Sequence, residues 1–224
     1  MLSLITRNGW IMLLFFKAWR AELLAAIACL SATACATTEA PPLSTSIVAA
    51  GPVAAPSGFL DLCLEQPEAC GAETALPIRP QVEMNDELWA QVNRMNRDAN
   101  RAIRYVSDAN FGRPDVWRIA TNAGDCEDYA LAKRAAMMDV GFPATALRLA
   151  TVYSRRTGHH AVLVLTTTDG DYVLDNTRDV ILPWEQTQFA WVSVQSSGDP
   201  MQWLRVASRT GGMADVTVEA TAGG

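Results

Sequence analysis

The chain changes its hydrophobic periodicity once, and that change limits the folds open to it. Before Gly141 two stretches carry apolar residues at helical spacing; after Pro143 they gather in short β-rich runs. Leu88, Val92, Met95, Ala99, Ile103 and Val106 share one face of a helix that Asn85 can cap, with Asp86 and Glu87 in its first turn. Arg94, Arg97, Arg101 and Arg104 fall on the other face, which reads as solvated. A second helix runs from Cys126 to Val140 and stops where Gly141 can take a left-handed cap and Pro143 prevents continuation. Leu147–Tyr153, His160–Thr167, Tyr172–Asn176 and Phe189–Val194 read as strands separated by turn residues. Helices followed by antiparallel strands predict an α+β domain, its N-terminal helices packed on an antiparallel sheet.

The ends differ from this middle. Ile11–Phe16 is apolar, Lys17 and Arg20 interrupt, and Leu23–Leu30 is apolar again. That order makes residues 1–35 a secretory signal rather than a spanning helix, which needs about 20 apolar residues. Its end, Ser31 to Cys35, offers two fates: cleavage near Ala34 or Ala36, or a lipoprotein signal with a lipid anchor on Cys35. Residues 36–58, rich in Ala, Pro, Ser and Thr, read as a flexible linker, and the Gly-rich 209–224 as a disordered tail. This leaves 59–208 as the domain. Half of the 224 residues are hydrophobic and seven are Trp, enough for one well-buried core. The net charge of −6 comes with no basic stripe, so nucleic acid is not an expected partner.

Of the cysteines outside the export segment, Cys63 and Cys70 are close enough in sequence for a turn or short helix to bring together. In an oxidising compartment they are expected to pair; two buried free thiols are the alternative. Zinc is disfavoured because both histidines are distant and adjacent to each other. Pairing leaves Cys126 as a lone thiol, which in an exported protein calls for an explanation.

Cys126 stands at the start of the second helix in Gly124-Asp125-Cys126-Glu127-Asp128-Tyr129. Unpaired N–H groups and the positive end of the helix dipole favour a thiolate there. Gly124 would let a substrate carbonyl approach the sulfur. Three adjacent acids oppose a second negative charge, which a cation or an imidazolium would offset. A general base must come from His159 or His160, at the head of a predicted strand, and alternation puts His160 on one face with Val162 and Val164. Asp175, in an otherwise apolar strand, is expensive to bury unless paired. A two-residue Asp169-Gly170 turn would set it opposite Val164, on the face of His160 but four residues away. Direct contact then requires the strands to shift by an even step.

These blocks, together with Gly158-His159-His160-Ala161-Val162-Leu163 and Val173-Leu174-Asp175-Asn176, resemble the bacterial transglutaminase-like cysteine peptidases, and in particular their LapG-type periplasmic branch. The likeness runs from Phe59 to Trp203 and takes in the Cys63/Cys70 pair, Trp184 and Thr187. It implies a papain-like, transglutaminase-like fold with Cys126 as nucleophile, His160 as base and Asp175 as orienting acid. His160 is preferred to His159 because the family's histidine directly precedes the small-Val-Leu run. The branch also implies Ca2+, with Asp125 and Glu127 among the ligands and Asp171 of the hairpin as a third. It further implies a periplasmic location, a protein substrate such as an exported surface adhesin, and control by an inner-membrane regulatory protein. Two rival functions use the same residues differently. A transglutaminase or amidase would keep the triad, whereas a non-catalytic periplasmic binding module predicts that the three side chains are not mutually within reach.

Overall fold

The computed structural model describes residues 44–70, 81–112 and 115–207. The expected signal segment, with Cys35, and the 209–224 tail lie outside the described residues.

Helix α1 (Ser57–Glu65) and the single turn α2 (Pro67–Cys70) open the helical layer. A disulfide between Cys63 and Cys70 joins them, with Cα atoms 5.5 Å apart. Helix α3 (Asp86–Ala102) begins as its sequence predicts, Asn85 Oδ1 accepting the Leu88 N–H at 2.9 Å. It does not reach Val106. Ile103 is already extended, and Arg104–Tyr105 (β2) pairs in parallel with Ala123–Gly124 (β3). Tertiary pairing here overrides helical periodicity. Helix α4 (Cys126–Asp139) ends at Val140, with Gly141 at φ +98°.

A seven-stranded antiparallel sheet follows. Its strands are β1 (Ala49–Val53), β4 (Leu147–Ser154), β5 (Gly158–Thr167), β6 (Gly170–Leu174), β7 (Leu182–Pro183), β8 (Phe189–Gln195) and β9 (Trp203–Val206). Their order across the sheet is β1-β9-β8-β4-β5-β6-β7. The sequence pattern reveals the four central strands and misses β1, β7 and β9. Strand β1 lies inside the expected linker 36–58, which therefore needs correcting: residues 49–53 are sheet. Pro52 is tolerated because β1 is an edge strand, and Gly51, at φ +137°, takes up the register shift against β9.

Strand alternation divides the core. Ala161, Leu163 and Leu165 of β5 pack with Phe59, Trp89, Leu131 and Met137 of the helices, whereas Val162 and Val164 join Val152, Val173, Trp184 and Ile47. Phe59 and Trp203 meet edge to face at 5.4 Å, tying α1 to β9. One sheet face thus holds α4, whose first residue is Cys126, against β5.

Candidate active site

Strands β2 and β3 fix where α4 starts. The Val106 N–H donates to the Gly124 carbonyl at 2.8 Å, and the Asp108 N–H to Asp125 Oδ2 at 3.0 Å. Asp125 therefore occupies the N-cap position without capping the helix through its side chain. Gly124 is required for a reason other than substrate access: a Cβ there would lie 2.3 Å from Asp128 Oδ2. Asp128 fills that space to bind Arg118, by its N–H at 2.9 Å and its guanidinium at 3.2 Å.

Cys126 Sγ rests between α4 and the head of β5. It accepts the Ala161 N–H at 3.4 Å and lies 3.1 Å from Glu127 Oε2. Burial, followed by the charge of Glu127, pushes the thiol up, and the Ala161 N–H opposes this only in part. Burial and the neighbouring acids together thus oppose the thiolate that the helix start favours. Glu127 is itself pushed up, by burial and then by its hydrogen bond to and charge repulsion with Asp125.

His160, beside Ala161, is 6% exposed. Its Nε2 lies 2.9 Å from Asp175 Oδ1. Asp175 also accepts the Thr177 N–H at 2.9 Å and the Thr177 hydroxyl at 2.7 Å. Burial pushes this carboxyl up, but the hydrogen bonds from His160 and Thr177 outweigh it and hold the group at about 2. The even register step that the sequence required is present. The hairpin turns at Thr168-Asp169, pairing Thr167 with Gly170 and Leu163 with Leu174. Asp175 then follows one position beyond that last pair, diagonal to His160. His159 packs its ring 5.7 Å from that of Tyr153 and borders the same cleft as Cys126 and His160, without a contact to Asp175. Cys126 and His160 line one cleft of about 290 Å³ with Tyr105, Tyr129, Arg156 and Asn176. His160 thus reaches Asp175, and Cys126 shares the cleft with His160.

Behind the sulfur, Asp108, Asp125 and Glu127 are all buried, and each offers an oxygen within 4.8 Å of the others. Asp125 Oδ1 and Glu127 Oε1 are buried without a hydrogen-bond partner. Three convergent carboxylates, two of them with an unsatisfied oxygen, fit a hard divalent cation. Asp171, the third ligand expected from the sequence, is not among them. It sits opposite Thr166, six residues from His160 along β5, or roughly 20 Å. There it binds Arg148 at 2.7 Å and the Ile47 N–H at 2.6 Å. Asp108 stands in its place. No local pattern marks Asp108, because only the β2–β3 pairing delivers it to the site.

The family model of bacterial transglutaminase-like cysteine proteinases matches residues 49–211. The chain belongs to this family. This peptidase thus has the α+β architecture of transglutaminase-like enzymes, and its activity is that of a cysteine peptidase. Among solved structures it is similar to Legionella pneumophila LapG in a calcium-bound form, with 20% identity over 74% of the peptidase and 88% of LapG, at a TM-score of 0.46. It is likewise similar to an EGTA-treated form of LapG, with 18% identity over 76% and 95% of the two chains and a TM-score of 0.44. No curated protein gives a significant match to the peptidase.

Proposed function

We propose that this peptidase is an endopeptidase of the periplasm, reached through the N-terminal export signal, and that it cleaves another exported protein with Cys126, His160 and Asp175. The observation that carries this reading is the buried His160–Asp175 hydrogen bond beside the only free cysteine among the described residues. Asp175 fixes Nε2 as the protonated nitrogen and leaves Nδ1 to take the Cys126 proton. The thiolate then attacks a peptide carbonyl, and N–H groups at the start of α4 stabilise the oxyanion. The imidazolium returns its proton to the leaving amine, and water hydrolyses the acyl-enzyme.

Ca2+ is the proposed cation of Asp108, Asp125 and Glu127. When bound, it would supply positive charge that offsets the acids crowding the thiol. By the same resemblance, the substrate is a surface adhesin, and access to it is controlled by an inner-membrane regulatory protein. The test is cleavage of exported proteins by wild type and Cys126→Ala, with folding of both checked by circular dichroism. Loss of cleavage in a folded variant supports the reading, and retained cleavage refutes it.

A further inference from the structure

Asp175 does not hold His160 alone. Arg178, further along the loop that follows β6, brings its Nε to 3.4 Å from Asp175 Oδ2, the oxygen that His160 does not use. The same guanidinium lies over the ring of Phe189, 6.0 Å from its centroid. Phe189 opens β8, and its ring is 5.8 Å from that of His160. The four side chains therefore close a circuit, from carboxylate to imidazole to phenyl ring to guanidinium and back to the carboxylate.

Thr177 also bonds the carboxylate, but from within the same turn. Such local bonds shape the turn and move with it, so they do not place Asp175 relative to β5 and β8. Arg178 spans that gap. Its own backbone is anchored, because Asn100 Nδ2 of α3 donates to the Arg178 carbonyl at 2.9 Å and to the Asp175 carbonyl at 3.2 Å. Neither Arg178 nor Phe189 lines the cleft, so contact with a bound peptide does not account for their pairing. The Arg178 side chain is 38% exposed, and an ion pair so open to water contributes little to stability. What it can change is where the carboxylate points.

We infer that Arg178 is a positioning residue for the triad: by bridging Asp175 to Phe189, it fixes the carboxylate and the imidazole of His160 in one mutual orientation. The inference rests on Asp175 being the orienting acid. A guanidinium near the pair also repels an imidazolium, but the carboxylate lies between the two and water reaches the guanidinium, so the aim of the carboxylate is the larger effect.

The test uses the full chain with calcium present and iodoacetamide as the probe, so that no substrate is needed and a role in binding substrate does not register. The alkylation rate at pH 7 is read by mass spectrometry on the peptide containing Cys126. His159 and His160 are the only histidines of the chain. Isotope labelling of histidine nitrogen therefore gives an NMR spectrum of these two rings, with His159 as the control. Arg178→Gln should slow alkylation by about two- to fivefold and turn His160 from one tautomer, protonated at Nε2, into a mixture, with His159 unchanged. Phe189→Leu, which cuts the circuit at its other side, should produce the same mixture. Asp175→Asn should slow alkylation too, and adding Arg178→Gln to it should cause no further loss. If Asp175→Asn slows alkylation and Arg178→Gln alters neither rate nor tautomer, the inference fails and the triad stands. Faster alkylation in Arg178→Gln, or equal slowing by it in both backgrounds, also overturns the inference. An unchanged rate in Asp175→Asn removes the triad reading and the inference with it.

Discussion

Asp175 Oδ1 reaches His160 Nε2 across a strand diagonal at 2.9 Å, in a setting where both side chains are almost wholly buried. Removing the charge while keeping the shape isolates what this contact does. Asp175→Asn is expected to lower kcat by roughly 10²–10⁴-fold with little change in KM, because the contact steadies the base rather than the substrate. The same substitution should alter acid stability. The folded-state value of about 2 lies below the ordinary 3.8, so the carboxylate contributes stability that is present above pH 3.8 and lost as pH falls towards 2. Urea titrations between these limits should show that component in wild type and not in the variant.

Calcium should raise Tm, and Asp108→Asn or Glu127→Gln should abolish the rise, since each removes one of the three gathered carboxylates. Asp171→Ala should leave the calcium response intact. It should instead destabilise by about 3–5 kcal/mol, because Arg148 would remain buried and unpaired. Scanning calorimetry with and without EGTA separates the two groups of variants.

These residues mark how far the sequence can be read. Cys126, the helix behind it and the face of His160 follow from caps, periodicity and strand alternation, which are local signals. Asp171 looked suitable because it lies in the hairpin that leads to Asp175, yet strand length carries it to the opposite end of the sheet. Asp108 was illegible because a two-residue parallel pairing, too short to have a pattern of its own, brings it beside Asp125. Strand β1 was hidden by a composition that also suits a linker. The β5–β6 turn lay one position earlier than Asp169-Gly170 suggests, and because two strands share the shift, the pairing moved by two. That kept every face and turned a distant acid into a neighbour.

The Cys63–Cys70 disulfide should add stability without touching the cleft. Closing so short a loop contributes about 2–3 kcal/mol, so reduction or Cys63→Ser/Cys70→Ser should lower Tm by about 5–10 °C. The rate of Cys126 alkylation in the double variant, measured well below that Tm, should match wild type.

Lys133 carries a pH dependence of its own. Its value of about 7 in the fold lies below the ordinary 10.5, so between these limits the unfolded chain binds more protons than the folded one. Stability should therefore rise with pH across that window, by at most about 1.4 kcal/mol per pH unit. Denaturant titrations should show the slope in wild type and its loss in Lys133→Met.

The central claim is that Cys126 is the nucleophile of a peptidase acting on exported proteins. Its most direct test is to incubate wild type and Cys126→Ala, each with calcium, with the exported proteins of the same cell and to map new N-termini by mass spectrometry. The account predicts a small set of new termini with wild type and none with the variant. The same termini produced by Cys126→Ala would contradict it.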